Sequence, residues 1–145
     1  MANIIPFSFR GALFSAQHDL AAGGNTFKLS LYTSLAAYST ASTVYSATNE
    51  VSTGGGSNYV VKTLANQAVA STTAVASVDF DNVTWSSATF TSSFAAIYNN
   101  STVDGTQNRL VVVLDFGGAK TATNGDFTIA FPDAATPANA IISMS

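Results

Sequence analysis

Phe27-Lys28-Leu29-Ser30-Leu31-Tyr32 decides the fold class. Phe27, Leu29 and Leu31 alternate with Lys28, Ser30 and Tyr32, the period of two that places one set of side chains on a core and the other on solvent. The same alternation recurs downstream. Ala74, Ala76, Val78 and Phe80 alternate with Val75, Ser77, Asp79 and Asp81, and Phe127, Ile129 and Phe131 with Thr128 and Ala130, where Pro132 ends the run. Tyr59–Leu64, Phe90–Tyr98 and Ile141–Met144 are further strand candidates, and Val83–Trp85 prolongs the Ala74–Asp81 strand after a kink at Asn82. Leu110–Phe116 is apolar on both faces, which marks a central strand buried on both sides. Gly54–Gly56, Asp104-Gly105 and Asn124-Gly125-Asp126 punctuate these runs, the last expected to turn the chain between two strands.

Upstream of Phe27 the period changes. Phe9, Leu13, Gln17 and Leu20 form a weak helical row, so a helix is expected over Phe7–Leu20, stopped by Gly23 and Gly24. Leu35–Thr53 reads as a long irregular connection with an edge strand near Val44 and Tyr45. The whole is an all-β, single-domain β-sandwich of seven or eight strands, with jelly-roll topology one form it can take. An N-terminal arm and short helix occupy 1–24 and the sandwich 25–145.

The composition is unusual for a free enzyme. Charged residues make up 9% of 145, net −3, and about a quarter of the residues are Ser or Thr. The five basic residues, Arg10, Lys28, Lys62, Arg109 and Lys120, are scattered singly, so no nucleic-acid partner is expected. No apolar run approaches the roughly 20 residues of a membrane span. Met1–Arg10 lacks the layout of a signal peptide. There is no cysteine. A net charge this small favours association, and coverage of the surface by partners is one solution.

Motifs for chemistry are weak. His18 is the single histidine and precedes Asp19, but no serine sits in a nucleophile elbow, and His18 reads as a solvated or capping residue near the helix end. Asp79 and Asp81 share a strand face, as a Ca²⁺ site would begin, yet no third acidic residue is near in sequence. Asp115-Phe116-Gly117 and Gly54–Gly56 match kinase and phosphate-loop letters without their contexts. No catalytic residue, metal or cofactor is therefore expected. The five tyrosines, Tyr32, Tyr38, Tyr45, Tyr59 and Tyr98, offer contacts at an interface, although at least half read as ordinary strand residues.

The segments Phe27-Lys28-Leu29-Ser30-Leu31-Tyr32-Thr33-Ser34, Val44-Tyr45-Ser46-Ala47-Thr48-Asn49-Glu50-Val51, Val83-Thr84-Trp85-Ser86, Ala96-Ile97-Tyr98-Asn99, Leu114-Asp115-Phe116-Gly117 and Phe127-Thr128-Ile129-Ala130-Phe131-Pro132 have a combined order. That order resembles a family of small virion structural proteins of tailed bacteriophages. The resemblance runs from about Phe9 to Ile142. Ser92-Ser93-Phe94 departs from the turn-like Arg-Gly that the resemblance leads one to expect before Ala-Ile-Tyr-Asn, which bears on local strand packing. The resemblance implies a non-enzymatic protein of the phage particle. The first expectation is a capsid decoration (cement) protein on the head surface, bound to major capsid protein and to copies of itself. A neck, collar or fibre-base protein is the alternative. A host-glycan-binding module, with Trp85 and Tyr98 or Tyr59 as its exposed aromatics, is a third, and a small hydrolase a distant fourth. Ile4, Ile5, Phe7, Phe9, Leu13 and Phe14 form an apolar arm that either docks on a partner or covers one end of its own sandwich.

Overall fold

A computed structural model describes residues 3–35, 37–72, 74–132 and 140–144. One helix, α1 (Phe7–Phe14), precedes seven strands: β1 (Phe27–Tyr32), β2 (Lys62–Thr63), β3 (Ala68–Ser71), β4 (Ala76–Asp79), β5 (Val83–Asn99), β6 (Arg109–Ile129) and β7 (Ile142–Met144). They form a four-stranded sheet in the order β2-β1-β5-β6 and a three-stranded sheet in the order β3-β4-β7, every pairing antiparallel. The result is a β-sandwich with one short N-terminal helix. The described strands number seven, against the eight of a jelly roll.

The core between the sheets gathers Leu29 and Leu31 from β1, Val78 from β4, Ile97 from β5, Val112 from β6 and Ile142 from β7. A second apolar cluster lies on the other face of the four-stranded sheet. It holds Tyr32, Tyr38, Ala96, Leu110 and Val113, with Leu35 and Tyr45 packed on it. β1 is therefore covered on both faces, and Ser30 and Tyr32, expected on solvent, are fully buried. The irregular connection after β1 supplies that cover.

Leu110–Phe116 is also covered on both faces, but as part of β6 it sits at the sheet's edge and not at its centre. Burial of a strand's faces depends on what packs above and below, not on its place in the sheet order. The pairing shifts between Ile97↔Val112 and Tyr98↔Leu110, leaving Val111 as an extra residue. That bulge lets Val111 and Val112 both face the core between the sheets while Leu110 and Val113 face the second cluster.

Two sequence expectations are corrected at β5 and β6. Val83–Trp85 does not extend the preceding strand; it opens β5, which belongs to the other sheet. Phe90–Tyr98 is the later part of that same strand. Asn124-Gly125-Asp126 does not reverse the chain: Gly125 pairs with Ala88 inside one continuous β6. Asn124 takes a φ of 47° and donates its N–H to Thr89 Oγ1 at 3.0 Å, so the turn-forming residues are spent on a bulge. A larger irregularity separates Ser92↔Lys120 from Phe94↔Asp115 and holds Gly117 (φ 69°) and Gly118 (φ 140°). These backbone angles suit glycine because it has no Cβ. Ser92 spans the irregularity, its buried hydroxyl 3.0 Å from the carbonyls of Tyr32 and Phe94.

The remaining strands were only partly anticipated. Tyr59–Leu64 narrows to the two residues of β2, and Val44 makes a single bridge to Arg109. β3 carries small uncharged residues whose sequence gives no strand signal of its own.

The helix is eight residues long and stops six residues short of the expected Leu20. It ends at Phe14, where Ala16 (φ 53°) enters the left-handed region. Gln17 N–H bonds Ala12 C=O at 2.9 Å and Ala16 N–H bonds Leu13 C=O at 3.1 Å, the paired closure of a Schellman motif. Stopping there turns His18 and Leu20 into the protein. An alanine in this conformation is strained relative to glycine. Ala16→Gly is expected to raise stability by about 0.5–1 kcal/mol, read as an increased urea midpoint at unchanged m-value; a lower midpoint would contradict this account of the helix end.

Candidate functional site

The N-terminal arm divides into two kinds of residue. Ile4 exchanges both backbone hydrogen bonds with Val113, each 2.8 Å, and so adds a rung to the outer edge of β6. Asn3 Oδ1 accepts the Asp115 N–H at 3.0 Å, and Phe7 N–H bonds Thr40 C=O at 2.9 Å. Phe9 is buried in the core between the sheets. Ile5 and Leu13 pack against that core, and Ile4 against the second cluster. Phe7 and Phe14 point outward, 61% and 94% exposed. The Arg10 guanidinium lies 4.6 Å from the Phe7 ring centroid. Of the six arm residues, four thus cover their own sandwich and two are presented to solvent.

Glu50, the one glutamate of the chain, sits among the tyrosines. Tyr59 donates to one carboxylate oxygen at 2.5 Å and Tyr45 donates to the other. The Tyr59 hydroxyl also accepts the Leu31 N–H at 3.0 Å. Tyr32 and Tyr38 share a 2.8 Å hydroxyl contact and both reach Ser46 C=O, at 2.8 and 3.1 Å. Tyr45 and Tyr98 pack ring on ring at 4.6 Å. Backbone bonds from Thr33 to Asn49 and from Val51 to Leu31 fasten the same segment to the end of β1. The cluster pins the long connection over the sheet, with the hydroxyls of Tyr32, Tyr38, Tyr45 and Tyr59 engaged by Ser46, Glu50 or one another.

Burial pushes all five phenols above their ordinary value of about 10, and the negative charge of Glu50 adds to the effect; Tyr98 reaches about 12. The folded state thus holds phenolic protons that the unfolded chain releases. The phenols' contribution to stability is complete below pH 10 and is lost as pH rises towards 12 and beyond. In an alkaline titration the tyrosinate absorbance is expected to rise in one steep step coincident with unfolding. A separate rise near pH 10 in the folded protein would show the cluster to be open.

His18 is neither solvated nor on the helix. Its ring is buried 4.9 Å from that of Phe9. Asn99 Nδ2 donates to its Nδ1 at 3.0 Å and to Asn25 Oδ1 at 2.8 Å, while Asn99 Oδ1 accepts the Ser101 N–H at 3.0 Å. With Nδ1 as acceptor, Nε2 carries the proton, and it has no partner among the described residues. Burial, then the positive charge of Arg109, lowers the imidazole to about 4. Asp19 does not orient this ring: its Oδ1 accepts the Ala21 N–H at 3.1 Å in a local turn. His18 is therefore a neutral core residue that ties the stretch after α1 to the end of β5.

Because the folded-state value lies below the unfolded 6.5, protonation favours unfolding. Stability falls as pH drops from 6.5 to about 4, by roughly 1–3 kcal/mol once solvent screening is allowed for. Urea midpoints across that range should decline less steeply in His18→Gln than in the parent, the carboxylates contributing equally to both. Identical slopes would show that His18 is not the group responsible.

The other sequence candidates do not converge. Trp85 and Tyr59 are each 1% exposed and Tyr98 is also buried, so the aromatic face that a glycan would need is not built from them. Trp85 Nε1 instead donates to Val60 C=O at 2.7 Å. Asp81 Oδ2 accepts from Asn66 Nδ2 at 2.6 Å, and Asp79 ends β4. The Asp115 Oδ1 accepts the Gly117 N–H at 2.9 Å, a local turn at the β6 irregularity. Among the described residues no group of three or more His, Asp or Glu side chains is placed to hold a metal ion.

An open cleft of about 650 Å³ lies beside the bend of β6. It is lined by Phe116 and Phe127 with Lys120 and Asp126, and its rim at Pro132 and Ala140 flanks residues 133–139, outside the described residues. No family model, curated protein or solved structure matches the chain.

Proposed function

We propose that this chain is a non-enzymatic structural protein of a bacteriophage virion, acting as a capsid decoration (cement) protein on the head. The observation that carries the reading is the pair Phe7 and Phe14. Two large apolar side chains stand out from a helix whose other apolar residues are used by its own domain. Displayed on a backbone anchored at Ile4, Phe9 and Leu13, they form a preorganised apolar contact for another protein.

The character of the surface supports the same reading. Hydroxyl pairs Thr84–Thr128 and Thr91–Thr121, at 2.8 and 2.7 Å, lie on the exposed face of the β5–β6 ladder. A neutral, hydrogen-bonding surface suits lasting contact with a shell of repeated subunits. A standard interface buries roughly 1,600 Å². Repetition of many such contacts around a closed shell adds avidity without new chemistry. The segment order that resembles phage virion proteins supplies the biological setting.

Phe7→Ser with Phe14→Ser is expected to leave the folded content unchanged and to lower occupancy on particles about tenfold or more, the effect of losing roughly 1.4 kcal/mol of contact. Circular dichroism checks the first and quantitative gel analysis of purified particles the second. Unaltered occupancy would reject the docking role of the arm. For cement activity, particles lacking the protein should release DNA at a lower temperature; equal release would reject that role.

A further inference from the structure

Two sheets offer four edges, and three are blunted. The first half of β6 is covered by Ile4 at Val113 and by Val44 at Arg109, and its second half carries Lys120, Asp126 and a bulge at Asn124. β2 is two residues long and bears Lys62. β7 offers three residues. Among the described residues, β3 carries no charge, bulge or proline: it is Ala-Val-Ala-Ser, regularly paired with β4. No charged residue occurs from Leu64 to Val78. An edge of this kind is a template for a further strand.

The direction of its free backbone groups follows from the hairpin. Thr72 N–H bonds Val75 C=O at 2.8 Å, and antiparallel pairs alternate. Ala70 and Ala68 therefore make the ladder bonds to Ser77 and Asp79, and the N–H and C=O groups of Val69 and Ser71 face outward. The same edge is apolar. Val69 lies on the core-facing side, opposite Val78, yet is 56% exposed. It borders an apolar groove of about 120 Å³ shared with Leu13, Leu20 and Met144.

We propose that β3 is a self-association edge, and that its occupant is β3 of a second copy of this chain. The two strands pair antiparallel about a two-fold axis at Ala70, joining two three-stranded sheets into one continuous sheet. Val69 exchanges hydrogen bonds with Ser71 of the second copy, and the reverse. An antiparallel pair on a two-fold axis is self-complementary, so one edge serves both copies. With no charge on either strand, two identical edges approach without repulsion. Both copies of Val69 then leave water at the mouth of the groove. This inference is independent of the virion reading, because it concerns the purified chain alone.

Sedimentation of the purified protein tests it. The parent is expected to show a concentration-dependent dimer. Val69→Pro removes an outward N–H without removing a ladder bond to β4, and Val69→Lys adds a charge that meets its own copy. Each should raise the dimer Kd about tenfold or more, while Val69→Thr retains the dimer. Ala70→Cys places one cysteine on the axis of a chain that has no other. Opposed residues of a non-hydrogen-bonded pair lie about 4.5 Å apart between Cα atoms, within disulfide range, so oxidation should yield a covalent dimer. Should Val69→Pro fail to fold by circular dichroism, Val69→Lys and Ala70→Cys decide. A monomeric parent, a dimer untouched by Val69→Lys, or no disulfide-linked Ala70→Cys dimer would each overturn the proposal. None of those results bears on whether Phe7 and Phe14 dock on a particle.

Discussion

The β1–β5–β6 part of the larger sheet is apolar on both faces, and most of the molecule is arranged to cover it. Leu29, Leu31, Ile97 and Val112 require one layer, and Tyr32, Ala96, Leu110 and Val113 require another. The three-stranded sheet supplies the first. The second has no strands of its own. It is a length of irregular chain after β1, and irregular chain laid on a sheet must find partners for its polar groups. The hydroxyls of Tyr32 and Tyr38 meet Ser46 C=O, and Glu50 accepts from Tyr45 and Tyr59. The carboxylate remains half-buried, so it binds the phenols without the full penalty of a buried charge.

The same demand explains the N-terminus. β6 ends the sheet order, and its first half would present both apolar faces and an unpaired edge. Ile4 closes the edge by two backbone bonds, Phe9 fills the core beneath, and the Schellman turn at Ala16 directs His18 inward against Phe9 and Asn99. The arm is thus a structural part of the sandwich. Among its described residues, the large apolar side chains it offers outward are Phe7 and Phe14. In the docking role proposed for them, two aromatic side chains on a fixed helix would lose little conformational freedom.

The buried titratable groups belong to the packing of this covering layer and of the stretch after α1. The tyrosine protons and the neutral imidazole are held where water is excluded, so they limit the pH range of folding at both ends. His18 acts below 6.5 and the phenols above 10. Each phenol whose bonds are described above binds the backbone, Glu50 or another phenol.

The period of two in Phe27–Tyr32, and its return at Ala76–Asp79 and Phe127–Ile129, determined a β-sandwich, because alternation is a property of neighbouring residues. The apolar character of Leu110–Leu114 likewise announced burial on both faces. The neutral surface was a matter of composition. Tertiary structure alone decided the rest. Asn124-Gly125-Asp126 suits a turn or a bulge equally, and only pairing with Ala88 and Thr89 selects the bulge. Gln17 and Leu20 continue a helical row until the core makes it more favourable to bury His18 and Leu20 from a non-helical backbone. Glu50 meets phenols at Tyr45 and Tyr59 because β1 and the wrapped connection bring them together. Local pattern fixes which faces are apolar, whereas which residues meet depends on how distant segments close over those faces.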